Sequence, residues 1–158
     1  MGRVRMKVFV SHSTKDMHLV EEFKRLVEAK GIEAYVAVKD VQPGGMLSDK
    51  LVRNIQTSNC LVAILTKDGV MSGTLQNELG VAKASKIRIV PLVEEGVNPE
   101  GVLSGVEQLR FNKDHPEQAL KDAAIYLSTL KKQADADFIG ILILAGLAIF
   151  VLMGGSNK

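Results

Sequence analysis

One cysteine, four prolines, two tyrosines and no tryptophan among 158 residues set the first limits on this chain. A single thiol cannot build a disulfide framework or a cysteine-rich zinc site, and it fits a reducing compartment. Aromatic residues make up 4% of the chain, too few for the stacking platforms that hold single-stranded nucleic acid. A large excess of charge of one sign is missing as well. Twenty Lys and Arg stand against 18 Asp and Glu, a net of +2, so no nucleic-acid partner is expected. The three histidines, at 12, 18 and 115, show no metal-ligand spacing, and no metal site is expected. The basic start, Met1 to Lys7, is followed by a polar stretch within four residues, which is not the pattern of a secretory signal.

What is present is an uneven distribution of apolar residues. The mean hydropathy is +0.12, and the excess is local: no charged residue occurs from Phe138 to Ser156. The run Phe138–Met153 is apolar without a period. As a helix it reaches about 24 Å, or about 27 Å with Gly154 and Gly155, against a hydrocarbon core of roughly 30 Å. We read residues 138–155 as a transmembrane helix. The alternative, a buried core helix, is seldom apolar on every face. Lys131 and Lys132 precede the run and Lys158 follows it, so the positive-inside rule places the domain on the cytoplasmic side. The expected organisation is a domain over 1–132, a linker over 133–137, the span over 138–155 and a short tail over 156–158.

Within the domain, short apolar runs alternate with helical patterns. Strands are expected over 7–10, 33–38, 60–65, 88–93 (with Pro91 near its end) and, more weakly, 107–111. Asp16 is placed as an N-cap before Leu19, Val20, Phe23, Leu26 and Val27, one helix face closed by Gly31. Ser48 or Asp49 caps a helix with Leu51, Val52 and Ile55. Ser72 caps one with Leu75, Leu79 and Ala82. Pro116 starts a last helix whose inner face is Leu120, Ala123, Ala124, Leu127 and Leu130. Five strands alternating with five helical segments predict an α/β domain, a flavodoxin-like parallel sheet in the order 2-1-3-4-5 flanked by helices. In that order strands 1 and 3 meet at the topological switch point, where ligands bind beyond the strands' carboxyl ends. Ser11–Asp16 and Thr66–Glu78 flank this crevice.

The residues there exclude several uses of such a fold. Ser11–Asp16 holds no glycine for a phosphate loop. Ser11 and His12 stand where paired acids would hold a magnesium ion. No Gly-x-Ser-x-Gly elbow occurs. Cys60 lies inside a strand run and reads as a structural thiol. Glu78 is the unusual residue: three after Leu75 and four before Ala82, it falls at the edge of the buried stripe, where a charge is costly unless paired or used. On the pattern alone it is either a boundary carboxylate or a functional one.

Three segments resemble the Toll/interleukin-receptor (TIR) family. Val8-Phe-Val-Ser-His-Ser-Thr-Lys-Asp16 is similar to its first box. Asp40-Val-Gln-Pro-Gly44 is similar to the Asp-x-x-Pro-Gly of its BB loop. Ile55–Leu65 resembles the helix and third strand that follow. The similarity covers roughly residues 6 to 131. Many TIR domains cleave the bond between nicotinamide and ribose in NAD⁺, using a Glu in the helix after strand 3 behind a Ser. The resemblance therefore implies that Glu78 is catalytic and that Ser72 is the upstream Ser. It also implies that Ser11, His12 and Ser13 line the substrate wall, with His12 either in contact with substrate or orienting its loop. The BB loop, with Asp40, Pro43, Gly44 and Gly45, would close the pocket and mediate assembly. NAD⁺ would be the substrate, with no bound cofactor, and a second copy of the chain a partner. Leu75 stands where an aromatic is expected, Lys7 where an Asp is, and Phe111-Asn-Lys113 where a Phe-Trp box is. Two other readings are a non-catalytic TIR–TIR interaction module and a nucleoside-deoxyribosyltransferase-like enzyme, the latter with Thr66-Lys-Asp68 as supporting residues.

Overall fold

The computed structural model describes residues 5–37, 49–69 and 73–154, with side chains through residue 137. The chain runs β1 (Lys7–Ser11), a 3-10 turn (Thr14–Asp16), α1 (Met17–Glu28), β2 (Glu33–Val36), α2 (Asp49–Gln56) and β3 (Cys60–Leu65). It continues through α3 (Gly73–Ala84), β4 (Arg88–Glu94), a second 3-10 turn (Gly101–Leu103), β5 (Leu109–Phe111) and α4 (Glu117–Gly154). The five strands form one parallel sheet in the order β2-β1-β3-β4-β5, as the alternation predicts.

The sheet separates two apolar layers, and the period of two along each strand supplies both. Cys60, Val62 and Ile64 of β3 join Val8 and Val10 of β1 on the side of α1 and α4, against Leu19, Phe23, Leu120 and Leu127. Leu61, Ala63 and Leu65 join Phe9 on the side of α2 and α3, against Ile55, Leu75, Leu79 and Ala82. All six residues of β3 are buried, which is why this run carries no polar residue.

The helices end by backbone rules. After α1, Gly31 takes a φ of +70°, and its carbonyl accepts from Lys131 Nζ at 2.7 Å. That lysine, read from the sequence as a topology signal, therefore also ties α4 to the carboxyl end of α1, where a cation is favoured. After α3, the left-handed position is filled by Lys86, at φ 57°.

Details of the structure differ from the sequence pattern. Pro91 lies in the middle of β4, not near its end. β5 pairs only Leu92–Glu94, so the edge of β4 is open at Pro91, and an open edge tolerates a residue without an N–H. The connection between β4 and β5 contains a 3-10 turn, Gly101–Leu103. Residues 133–137, expected as a linker, are helical, because α4 runs unbroken from Glu117 to Gly154. At 1.5 Å per residue that is a rod of about 57 Å. The expected span falls on its end, beyond the residues whose side chains are described. Among the described residues no helix is long and apolar enough to cross a membrane.

The Lys86 backbone gives a direct test of the α3 cap. Lys86→Gly removes the Cβ that opposes a left-handed φ and should raise stability by about 0.5–1 kcal/mol, read as a higher urea midpoint with an unchanged slope. An unchanged or lower midpoint would show that the cap is not under strain.

Candidate active site

The crevice forms where the β1–β3 ladder ends, at Ser11 opposite Ala63. Beyond it the two chains part, α1 to one face of the sheet and α3 to the other. Side chains therefore decide what holds the crevice together.

Ser11 lies two residues beyond Phe9 and so faces the same way, toward α3. Its Oγ donates to Glu78 Oε2 on that helix. Both residues are 0% exposed. The helical pattern puts Glu78 at the edge of the buried stripe. The structure places it fully inside, because the end of β1 covers the turn of α3 that carries it. A carboxylate removed from water is costly unless it is hydrogen-bonded, and the Ser11 hydroxyl supplies such a bond.

His12 is buried, with Nδ1 3.2 Å from the Val10 carbonyl. A carbonyl oxygen only accepts, so Nδ1 carries a proton, and this bond fixes the ring against its own strand end. Ser13 is buried and caps the first 3-10 turn, accepting from the Lys15 N–H at 3.3 Å. Asp16 holds the N-cap position of α1 as expected, but its side chain makes no capping bond. Its carboxylate turns across the crevice to Thr66 instead, whose Oγ1 lies 2.9 Å from both Oδ1 and Oδ2. Ser72 and the BB-loop residues Asp40, Pro43, Gly44 and Gly45 lie outside the described residues.

Sequence reasoning missed the Asp16–Thr66 contact. The two residues are fifty positions apart, and nothing local marks them. Thr66-Lys-Asp68 does not place an acid beside Glu78. Asp68 is exposed and pairs with Lys113 at 2.6 Å, and the hydrogen bond from Lys113 holds its carboxyl below the usual range. Lys67 turns toward Glu94, its N–H donating to Oε2 at 2.8 Å and its Nζ 3.5 Å from Oε1. Leu75 is buried in the α2–α3 layer, so the position three before Glu78 is a core position. Lys7 sits at the opposite end of β1, where its Nζ donates to Asn54 Oδ1 at 2.7 Å. Among the described residues no group of three or more His, Cys, Asp or Glu is placed to hold a metal ion. A cavity of about 370 Å³ lies at the open edge of β4, lined by Arg88–Pro91, Val106–Leu109 and Tyr126, away from Glu78.

Burial raises the Asp16 carboxyl above its ordinary value. The Thr66 hydroxyl and the charges of His18 and Lys113 pull it down, and Asp68 adds to the rise. A raised folded-state pKa means that the native protein binds more protons than the unfolded chain through the window above the ordinary carboxylate value. The Asp16 contribution therefore favours folding at acid pH and is lost as pH rises through the folded pKa. Asp16→Asn keeps an acceptor for Thr66 and removes the buried charge. The variant should melt higher than wild type at neutral pH, and the gap should close as the pH falls through the carboxylate range. A gap that is constant with pH, or of opposite sign, would contradict this.

A family model described as the TIR domain matches residues 8–124. No curated protein sequence matches the chain. Among solved structures, the TIR domain of a Toll-related receptor from Hydra magnipapillata is similar with a TM-score of 0.60 at 14% identity, covering 77% of this chain and 97% of that one. A CMP N-glycosidase from Clostridium botulinum gives 0.57 at 18%, covering 74% and 97%. A TIR-STING receptor from C. gigas gives 0.57 at 20%, covering 74% of this chain and 38% of that one. At these identities the structures speak for the fold. The family model spans the sheet, the crevice and the helix that carries Glu78, and the chain belongs to the TIR-domain family.

Proposed function

We propose that this protein cleaves the nicotinamide–ribose bond of NAD⁺, with Glu78 as the catalytic carboxylate. The observation that carries the reading is a fully buried Glu at the switch point, bonded to the Ser that ends β1. The chemistry suits one carboxylate. The bond between C1′ and the ring nitrogen breaks with its electron pair passing to nicotinamide. Nicotinamide leaves neutral, so no general acid is required. Positive charge develops at C1′ and the ring oxygen of the ribose, and an anion beside the ribose stabilises it, as carboxylates do in glycosidases. Water then adds to C1′ and releases a proton, giving ADP-ribose. In this account Glu78 holds the ribose, and Ser11, His12, Ser13 and Ser72 line the wall. The BB loop around Pro43, Gly44 and Gly45 closes over the nicotinamide. The fold neighbour named as a CMP N-glycosidase supports the reading, because that protein's name places N-glycosidic chemistry on the same architecture.

The proposal includes self-association through TIR–TIR contacts and anchoring by residues 138–155, with the domain on the cytoplasmic side. The uncharged run and its continuation of α4 support the anchor, and tethering raises the effective concentration for assembly. Alkaline carbonate should leave the full chain in the membrane pellet, and protease added to intact cells should spare the domain. Release by carbonate would remove the anchor, and digestion from outside would reverse the orientation.

A second reading, an interaction module without catalysis, is favoured by Leu75, which puts an aliphatic core side chain where the family places a ring. Glu78→Gln separates the two. It keeps the shape and an acceptor for Ser11 and removes the anion. Nicotinamide release from the full chain clustered on liposomes should fall by roughly two to three decades, the size of about 3–4 kcal/mol of transition-state stabilisation. The melting temperature should hold or rise, since the amide avoids the carboxylate's desolvation. A variant as fast as wild type would end the assignment of Glu78. A wild type that releases no nicotinamide would leave the interaction module.

A further inference from the structure

Besides the Ser11–Glu78 bond, a buried contact between Asp16 and Thr66 crosses the crevice. Asp16 is 3% exposed and Thr66 is 0% exposed. Thr66 Oγ1, 2.9 Å from each carboxylate oxygen, shares its one proton between them. The same oxygen accepts from the Gly69 N–H at 3.1 Å. The backbone of the β3 loop is pressed against the β1 loop at this point. A Cβ added to Gly69 would come within 2.6 Å of both Asp16 Oδ2 and Ser13 Cβ. Backbone pairing between β1 and β3 has already stopped at Ser11 and Ala63, and the helices that follow go to opposite faces of the sheet. Nothing in the ladder sets the width of the gap beyond that point.

We infer that Asp16, Thr66 and Gly69 form a clasp that sets the width of the switch-point crevice and so positions the Ser11–Ser13 wall against Glu78. Ser13 lies three residues before Asp16 and abuts Gly69 itself. Glu78 lies nine residues after Gly69, on the helix into which that loop leads. The clasp thus fixes the two segments that must meet at a reacting ribose. Its members are positioning residues: they hold the loops and leave the substrate contacts to the wall. The inference rests on the catalytic reading of Glu78, since a crevice of defined width matters most where two groups must close on one atom. Misplacement by about 1 Å can cost on the order of a hundredfold in rate.

The test uses the full chain on liposomes, with NAD⁺ as the probe, and hydrogen exchange of the Asp16 and Gly69 amides. Both amides are bonded within their own loops, to Ser13 O at 3.0 Å and Thr66 O at 3.1 Å, and Gly69 abuts Ser13 and Asp16, so water reaches these turns faster once the loops part. Thr66→Val keeps the shape and deletes the shared hydroxyl. It should lower kcat between about tenfold and a hundredfold with KM within about threefold, and speed both amides about tenfold. Thr66→Ser should restore rate and protection. Asp16→Asn, which keeps an acceptor, should stay near wild type, and Asp16→Ala should behave like Thr66→Val. Should Thr66→Val fail to fold, Gly69→Ala wedges the loops apart without deleting a polar group and should give the same loss of kcat and protection. Wild-type amide protection in Thr66→Val or in Gly69→Ala would overturn the clasp, as would a melting-temperature loss with kcat per folded molecule unchanged. A wild type that releases no nicotinamide overturns the reading of Glu78, and the exchange arm then decides the clasp by itself.

Discussion

The hydrogen bond from Ser11 to Glu78 is the contact on which this crevice depends. It joins the end of a central strand to a helix on one face of the sheet, at the level where backbone pairing stops. A carboxylate with no exposure needs polar partners, and Ser11, a strand residue whose direction is set by the pleat, is one of them. The bond therefore requires three things at once: that β1 continue one residue past its apolar run, that α3 present Glu78 toward the sheet, and that the β3 loop bring α3 close. A surface glutamate would require none of these.

The sheet supplies the rigidity behind that bond. β3 is buried on both faces and feeds alternate side chains to two different helix layers, so neither layer can move without disturbing it. Side chains carried at the ends of such strands inherit fixed directions, while the connections between strands remain free to vary. Below the crevice the ladder does the holding. Above it, Asp16 reaches across to Thr66, and Gly69 lets the two loops touch.

The long helix α4 changes character along its length. Its first turns bury Leu120, Ala123, Ala124 and Leu127 against α1 and the sheet. Lys131 then reaches the carbonyl at the end of α1. From there the helix continues through residues whose sequence is polar and then wholly apolar. A stretch of Gln, Ala and Asp over 133–137 reads as a linker by its polarity. Those residue types also suit an exposed helix flanked by helical turns on both sides, and helix propagates once it is nucleated.

The sequence by itself determined the alternation of strands and helices and the segments that border the crevice, because these follow from periods of 2 and 3.6, and the strand order came from the flavodoxin-like pattern that five such strands fit. It also singled out Glu78, a charge beside a buried stripe, and the resemblance to TIR domains added Ser11. What it could not supply was depth and partnership. A helical wheel puts Glu78 three residues from Leu75, but only the packing of β1 over α3 removes it from water. Asp16 carries the local signature of an N-cap and occupies that backbone position, yet its carboxylate serves Thr66, fifty residues away. Pro91 tells of a break in hydrogen bonding, and only the short reach of β5 decides where such a break is tolerated. Local patterns follow from the geometry of a single element. The burial of a charge and the choice of its partner depend on which other elements arrive beside it, and that was decided by the tertiary structure alone.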